Sequence, residues 1–336
     1  MRKWVVAAVA ALAGSTAAAK APSPPTPLFS SDAPIHVTIQ GPMTSLASNH
    51  SEMPRPATMI VDGVTYPITL SPRGIFRKAN CDFPPLRVTL TKPAPPGSLF
   101  EHQRRLKLTV FCKKSEAYQQ KVLLEYAAYR LYNLMTPLSF RARLANVDYL
   151  DEAGRPYISR ASFFVEDVDD VARRTGLTVA KMGSLVPVQQ IDPVSGARFA
   201  LFEDMISNYD WSMRAAPKGE ACCHNARMLT DGAPGSLLTV VPYDFDFSGL
   251  VDAPYAEPPE GFPVDSVRQR TYRGYCIHQA QAGAIANQLL PRRAEFTRLF
   301  ATIPGLDRRE QAKAAGFIDG FFNDLASGKV LSKCLN

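Results

Sequence analysis

An α+β fold in two lobes, sheet-rich first and helix-rich second, is what the sequence predicts. Three observations carry it. Short runs that alternate apolar and polar residues recur up to about residue 165, the period of strands with one buried face. Beyond Glu166 the character changes to helices. The dipeptide Asp62-Gly63 lies between two strand-like runs and marks a hairpin.

Residues 1–19 read as a secretory signal peptide. Met1-Arg2-Lys3 is a basic head, Trp4 to Gly14 is apolar, and Ala17-Ala18-Ala19 offers a small-x-small cleavage site. That apolar run is far short of the roughly 20 residues of a membrane-spanning helix, and no later segment is apolar enough to span. Residues 20–31, rich in Pro and Ser from Ala21 to Pro27, predict a flexible leader, with order beginning near Ser31.

The first lobe is expected over residues 32–166. Ile35 to Ile39 alternates; Thr58 to Val61 and Val64 to Leu70 flank the Asp62-Gly63 turn; Leu86 to Leu90 and Leu106 to Phe111 complete a sheet. Ser115 is a candidate cap for a helix in which Tyr118, Val122, Tyr126 and Tyr129 recur at helical spacing until Pro137 stops it. Ala145 to Leu150 and Pro156 to Val165 follow as strands across the turn-rich link Asp151-Glu152-Ala153-Gly154. The second lobe, residues 167–336, holds helices over Val168 to Thr175, Ala197 to Ser207, Gly274 to Leu290, Arg292 to Phe300 and Asp307 to Ser327. A hairpin from Met228 to Phe247 is inserted among them.

Formal charge falls from +7 to about +5 once the presequence leaves, an excess that favours anions without naming one. Basic pairs such as Arg104-Arg105 and Arg173-Arg174 are scattered, with no basic stripe or nucleic-acid motif, so no nucleic-acid partner is expected. Six cysteines in an exported chain allow three disulfides and point to a periplasmic or secreted location. Cys81 and Cys112 flank neighbouring strands and make one expected pair. A bridge from Cys222 or Cys223 to Cys276 or Cys334 is the other expectation. Zinc on Cys222-Cys223-His224 is the weaker reading, since adjacent cysteines rarely reach one tetrahedral ion.

The chemistry concentrates in Ser207-Asn208-Tyr209-Asp210-Trp211-Ser212, then His224-Asn225, then Val241-Pro242-Tyr243-Asp244-Phe245-Asp246. Phosphoryl transfer needs a carboxylate near the acceptor hydroxyl, and Asn and Asp oxygens to hold magnesium on the phosphates. Asp210, Asn225 and Asp244 supply them in that order. The competing reading is that each caps a turn, as Asp and Asn often do. Other enzyme classes fit less well: there is no Gly-x-Ser-x-Gly elbow, no His-Glu-x-x-His, and the five histidines show no metal spacing.

Asp62-Gly63-Val64-Thr65-Tyr66 through Ser71-Pro72-Arg73-Gly74, Leu86 to Leu90, Phe163-Phe164-Val165-Glu166 and the Pro-Tyr-Asp-Phe-Asp run together resemble the spore-coat CotH kinase-like family. The order of the Asp, His-Asn and Asp elements is also similar to HipA-type kinases. The resemblance implies a protein-kinase-like two-lobed fold with ATP and Mg2+ or Mn2+ between the lobes, and a protein or small-molecule hydroxyl as acceptor. Asp210 would orient that hydroxyl; Asn225 and Asp244 would hold metal, with Asp246, on the same face at i, i+2, a further ligand. Lys107 on its strand, braced by Glu125 of the next helix, would meet the phosphates, with Arg73 and Arg87 as substitutes and Glu166 also placed at the nucleotide. Against this stand the missing Gly-x-Gly-x-x-Gly loop and the long Asp210 to Asn225 gap. The alternative reading is a catalytically inactive kinase-like envelope or surface binding module.

Overall fold

Ile35–Gln40 (β1) alternates buried and more exposed residues, and it pairs on both sides. On one side lies Arg55–Val61 (β2), antiparallel, and on the other Ala142–Leu150 (β6), parallel in register from Ile35 opposite Ala145 to Gln40 opposite Leu150. Between them run Val64–Pro72 (β3), Leu86–Leu90 (β4), Arg105–Thr109 (β5) and Pro156–Val165 (β7). The order β1-β2-β3-β4-β5-β7-β6 is closed. This is a computed structural model, and it describes residues 21–336. The signal peptide expected over residues 1–19 lies outside the described residues.

This closure overturns the two-lobed kinase-like expectation. The strands themselves fall close to where their alternation predicts, but the β1–β6 pairing rolls them into a seven-stranded mixed barrel instead of an open sheet. Closure removes both sheet edges. Val37, Ile39, Leu70, Val88, Leu108 and Phe164 are among the buried residues of its strands. Packing also begins earlier than Ser31: Leu28 and Phe29 are buried in a short 3-10 turn, and Arg143 donates to the Leu28 and Ser31 carbonyls.

The turn between β2 and β3 forms as its chemistry dictates, with Asp62 at φ 49° and Gly63 at φ 75°. Two short helices, Met43–Ser48 (α1) and Phe76–Asn80 (α2), interrupt the strands. Glu116–Met135 (α3) starts after Ser115, although the Ser115 side chain makes no capping bond. Its Tyr126 and Tyr129 rings meet Phe163 of β7 at 5.8 and 5.6 Å. On its other side lies Pro193–Ile206 (α5), reached after Val168–Thr175 (α4) and buried almost throughout. Tyr132 of α3 packs on Phe202 of α5, which fixes the two helices together.

A small antiparallel sheet joins Thr178–Val179 (β8), Ala226–Thr230 (β9) and Thr239–Pro242 (β10). Gln279–Leu289 (α6), Arg293–Arg298 (α7) and Arg308–Ala326 (α8) complete the helical layer around α5. Among the described residues no helix is long and apolar enough to cross a membrane.

The cysteines pair as Cys81–Cys112, Cys222–Cys223 and Cys276–Cys334. The expected bridge from the Cys222-Cys223 insert to Cys276 or Cys334 is not formed. Cys276 and Cys334 lie 5.0 Å apart at Cα because Cys276 donates its N–H to the Leu335 carbonyl, which aligns the chain end with the start of the α6 region.

Candidate functional site

The β9–β10 hairpin builds the first half of the site. Ala226 stands opposite Pro242 in its register, and the Tyr243 N–H extends the pairing by bonding the Asn225 carbonyl at 3.1 Å. Asn225 and Asp244 thereby flank one end of the hairpin. Both lie in the left-handed region, at φ 47° and 68°, a conformation more available to Asn and Asp than to most residues. The Asp244 N–H is held by the Tyr129 hydroxyl of α3 at 3.0 Å.

Asp210 approaches from the loop that follows α5. Ser207 ends that helix at φ 53°, Asn208 Oδ1 accepts the Asp210 N–H at 3.2 Å, and Trp211 Nε1 donates to the Asn208 carbonyl at 2.8 Å. Asn225 Nδ2 donates to Asp210 Oδ2 at 2.9 Å and to its carbonyl at 2.7 Å. His224 Nε2 bonds Asp210 Oδ1 at 2.7 Å. That bond, more than opposing desolvation, raises the imidazole pKa above its ordinary value. With its nitrogen committed to Asp210, Asn225 is left with Oδ1 as the acceptor free to face a cation.

Asp246 lies deeper. Tyr255 donates its hydroxyl to Asp246 Oδ2 at 2.9 Å, and Arg77 Nε stands 4.0 Å from the same oxygen. Burial, then the nearby Asp244 charge, pushes the Asp246 carboxyl up to about 7, with Arg77 pulling against them. Arg77 of α2 also donates from Nη1 to Glu125 Oε2 at 3.2 Å, and from Nη2 to the Val110 carbonyl. Burial raises the Glu125 carboxyl, again with Arg77 opposing. Arg77 keeps its charge because Tyr255, Glu125 and Asp246 together outweigh the cost of burying it.

Glu125 is therefore braced by Arg77 and not by Lys107. Lys107 instead lies over the Tyr243 ring at 5.1 Å and the Phe140 ring at 5.9 Å. Burial first, then the neighbouring Arg73 and Arg227 cations, lower its ammonium to about 8; Asp167 and Asp244 oppose the shift. Arg227 of β9 lies over the same Tyr243 ring, 4.3 Å from its centre. Among the described residues Lys107, Arg73 and Arg227 have no carboxylate within ion-pair distance. Arg73 and Arg227 thus both repel Lys107, with Asp167 and Asp244 as the opposing charges.

Two further expected residues stand apart. Arg87 pairs with Lys107 across β4 and β5 but is exposed, and its charge acts on Glu52. Glu166 is buried with both oxygens taken, by Arg174 Nε at 2.8 Å and Nη2 at 2.9 Å and by the Arg141 N–H at 2.9 Å. It is a structural clamp between β7 and α4. The residues that sequence reasoning missed are Arg77, Arg227 and Tyr255. Arg77 had one readable cue, its place four positions before Cys81, whose bridge to Cys112 ties α2 to the end of β5.

The site thus brings Asp210, His224 and Asn225 together beside Asp244, with Lys107 near enough to feel the Asp244 charge. No family model matches the chain, and no curated protein matches it.

Proposed function

We propose that this chain binds a nucleotide phosphate chain together with Mg2+ or Mn2+ and transfers phosphate to a hydroxyl acceptor. The observation that carries this reading is the meeting of Asp210 and Asn225, 2.9 Å apart, beside Asp244, whose charge reaches Lys107, itself crowded by Arg73 and Arg227 and without a carboxylate ion-pair partner among the described residues. Uncompensated Lys and Arg charges facing one space are costly unless an anion joins them.

In this reading Lys107, Arg73 and Arg227 bind phosphate oxygens, with the Arg forks giving directional bonds. Asn225 Oδ1 and the Asp244 carboxylate would hold the metal, with Asp246 behind them. Among the described residues no three His, Cys, Asp or Glu side chains are grouped as a self-sufficient metal site. Magnesium commonly takes one or two carboxylates plus substrate phosphates, so the oxygen donors present fit it. The bound metal would supply neutralisation of phosphate charge. Asp210 receives or orients the acceptor hydroxyl proton, and His224 holds Asp210 Oδ1 in place. The cysteine pairing accords with action in a periplasmic or secreted setting.

A binding module without turnover is the second reading. One observation favours it: both Asp210 carboxylate oxygens are already bonded, to His224 and Asn225. Calorimetric titration of the whole exported chain with ATP and Mn2+ tests the first reading. Heat that disappears in Asp244→Ala, with the fold intact by circular dichroism, is the expected result; no heat with wild type counts against nucleotide binding. Binding without phosphate transfer to any hydroxyl acceptor favours the module.

A further inference from the structure

Glu203 is the most isolated carboxyl group near this site. It sits in the last turn of α5, 1 % exposed, and neither carboxylate oxygen has a hydrogen-bond partner among the described residues. Its position near the helix C-terminus, where the dipole is negative, adds to the cost of any charge there. Stability alone gives no reason for this, since an apolar residue of similar volume removes the desolvation penalty.

The neighbour that makes sense of it is Asn208. The Asn208 N–H bonds the Glu203 carbonyl at 2.8 Å, the Asn208 carbonyl accepts from Trp211, and Asn208 Oδ1 accepts from the Asp210 N–H. Its remaining group, Nδ2, is buried and also lacks a partner among the described residues. The Asn208 amide nevertheless faces the Glu203 carboxyl closely enough to pull against its burial. A buried donor and a buried acceptor, each without a partner, are thus carried by two residues already joined through the Asn208 N–H and the Glu203 carbonyl, and the donor residue holds the Asp210 N–H.

We propose that Glu203 is a positioning residue for Asp210, acting through Asn208. The proposal rests on the phosphotransfer reading for its purpose but not for its geometry. Closing Nδ2 onto the Glu203 oxygen satisfies both orphaned groups and fixes the Asn208 side chain, whose other end holds the Asp210 backbone. The charged groups acting on Glu203 are Asp210 and Arg273.

The test compares Glu203→Met, close in shape but without an acceptor, with Glu203→Gln, which keeps one. Hydrogen exchange of the Asp210 backbone amide, which bonds Asn208 Oδ1, reads the arrangement directly in ligand-free protein. In Glu203→Met that amide is expected to exchange about tenfold faster, and in Glu203→Gln to exchange as in wild type. Affinity for Mn2+ and ATP is expected to drop about tenfold in Glu203→Met and to be restored in Glu203→Gln, while thermal stability is unchanged or higher in both. Should the Met variant fail to fold, Glu203→Leu takes its place. Unchanged exchange of the Asp210 amide in the acceptor-free variant overturns the proposal. If wild type binds no nucleotide, the phosphotransfer reading fails, and the amide-exchange comparison still decides the role of Glu203.

Discussion

Arg77 and Glu125, 48 positions apart in sequence, form a buried ion pair at 3.2 Å that ties α2 to α3 behind Asp246. Their side chains are 9 % and 3 % exposed, so water does little to screen either charge. Removing one partner from such a pair leaves the other buried and uncompensated. Arg77→Met is expected to lower stability by about 3–5 kcal/mol, measured by urea unfolding, and Arg77→Met with Glu125→Leu to recover much of it.

The Arg227 guanidinium helps to hold the Lys107 ammonium at about 8. Arg227→Gln is expected to raise the Lys107 pKa, followed by NMR of the isotope-labelled, reductively methylated amine. The same change is expected to weaken binding of phosphate ligands by about tenfold, as one charge-assisted bond contributes. A Lys107 titration indifferent to Arg227 would refute their shared pocket.

Asp204, next to Glu203 on α5, gives stability a pH dependence. Burial pushes its carboxyl up to about 7, with Arg270 opposing and Asp324 reinforcing the shift. A carboxyl whose folded pKa exceeds its unfolded value binds more protons when folded, so its contribution is complete below about 4 and is lost as pH rises through about 7. Asp204→Asn is expected to flatten unfolding free energy between pH 5 and 8 and to gain about 1–2 kcal/mol at pH 8. Denaturant melts across that range measure it.

Digestion without reductant should yield Cys81 bridged to Cys112, Cys276 bridged to Cys334, and Cys222 and Cys223 linked within one peptide. Mass spectrometry reads the three directly. Cys81→Ser with Cys112→Ser is expected to cost about 4 kcal/mol, the loop-closure entropy returned to the unfolded chain.

Local chemistry made much of the chain legible. Asp62-Gly63 fixes its turn because both residues tolerate positive φ, and Pro137 stops α3 because proline cannot continue a helix. The Asp210, Asn225 and Asp244 order was visible, and the β9–β10 register explains how a long insert still brings Asn225 back to Asp210. What was not legible was nonlocal. The alternation of β1 says which face is buried but not which strand lies beside it, so the β1–β6 contact that turns sheet into barrel left no mark in either run. Nearness in sequence likewise points to Lys107 as the brace of Glu125, where the fold brings Arg77. Arg77 comes from a five-residue helix too short for periodicity to reveal.

The parallel β1–β6 pairing also sets an order of assembly. β1 ends at Gln40, and the ring closes only through β7, which joins β5 to β6 and ends at Val165, so it stays open until about 125 further residues have been made. A chain that emerges from its N-terminus onward therefore carries an unfinished first half until its seventh strand is complete.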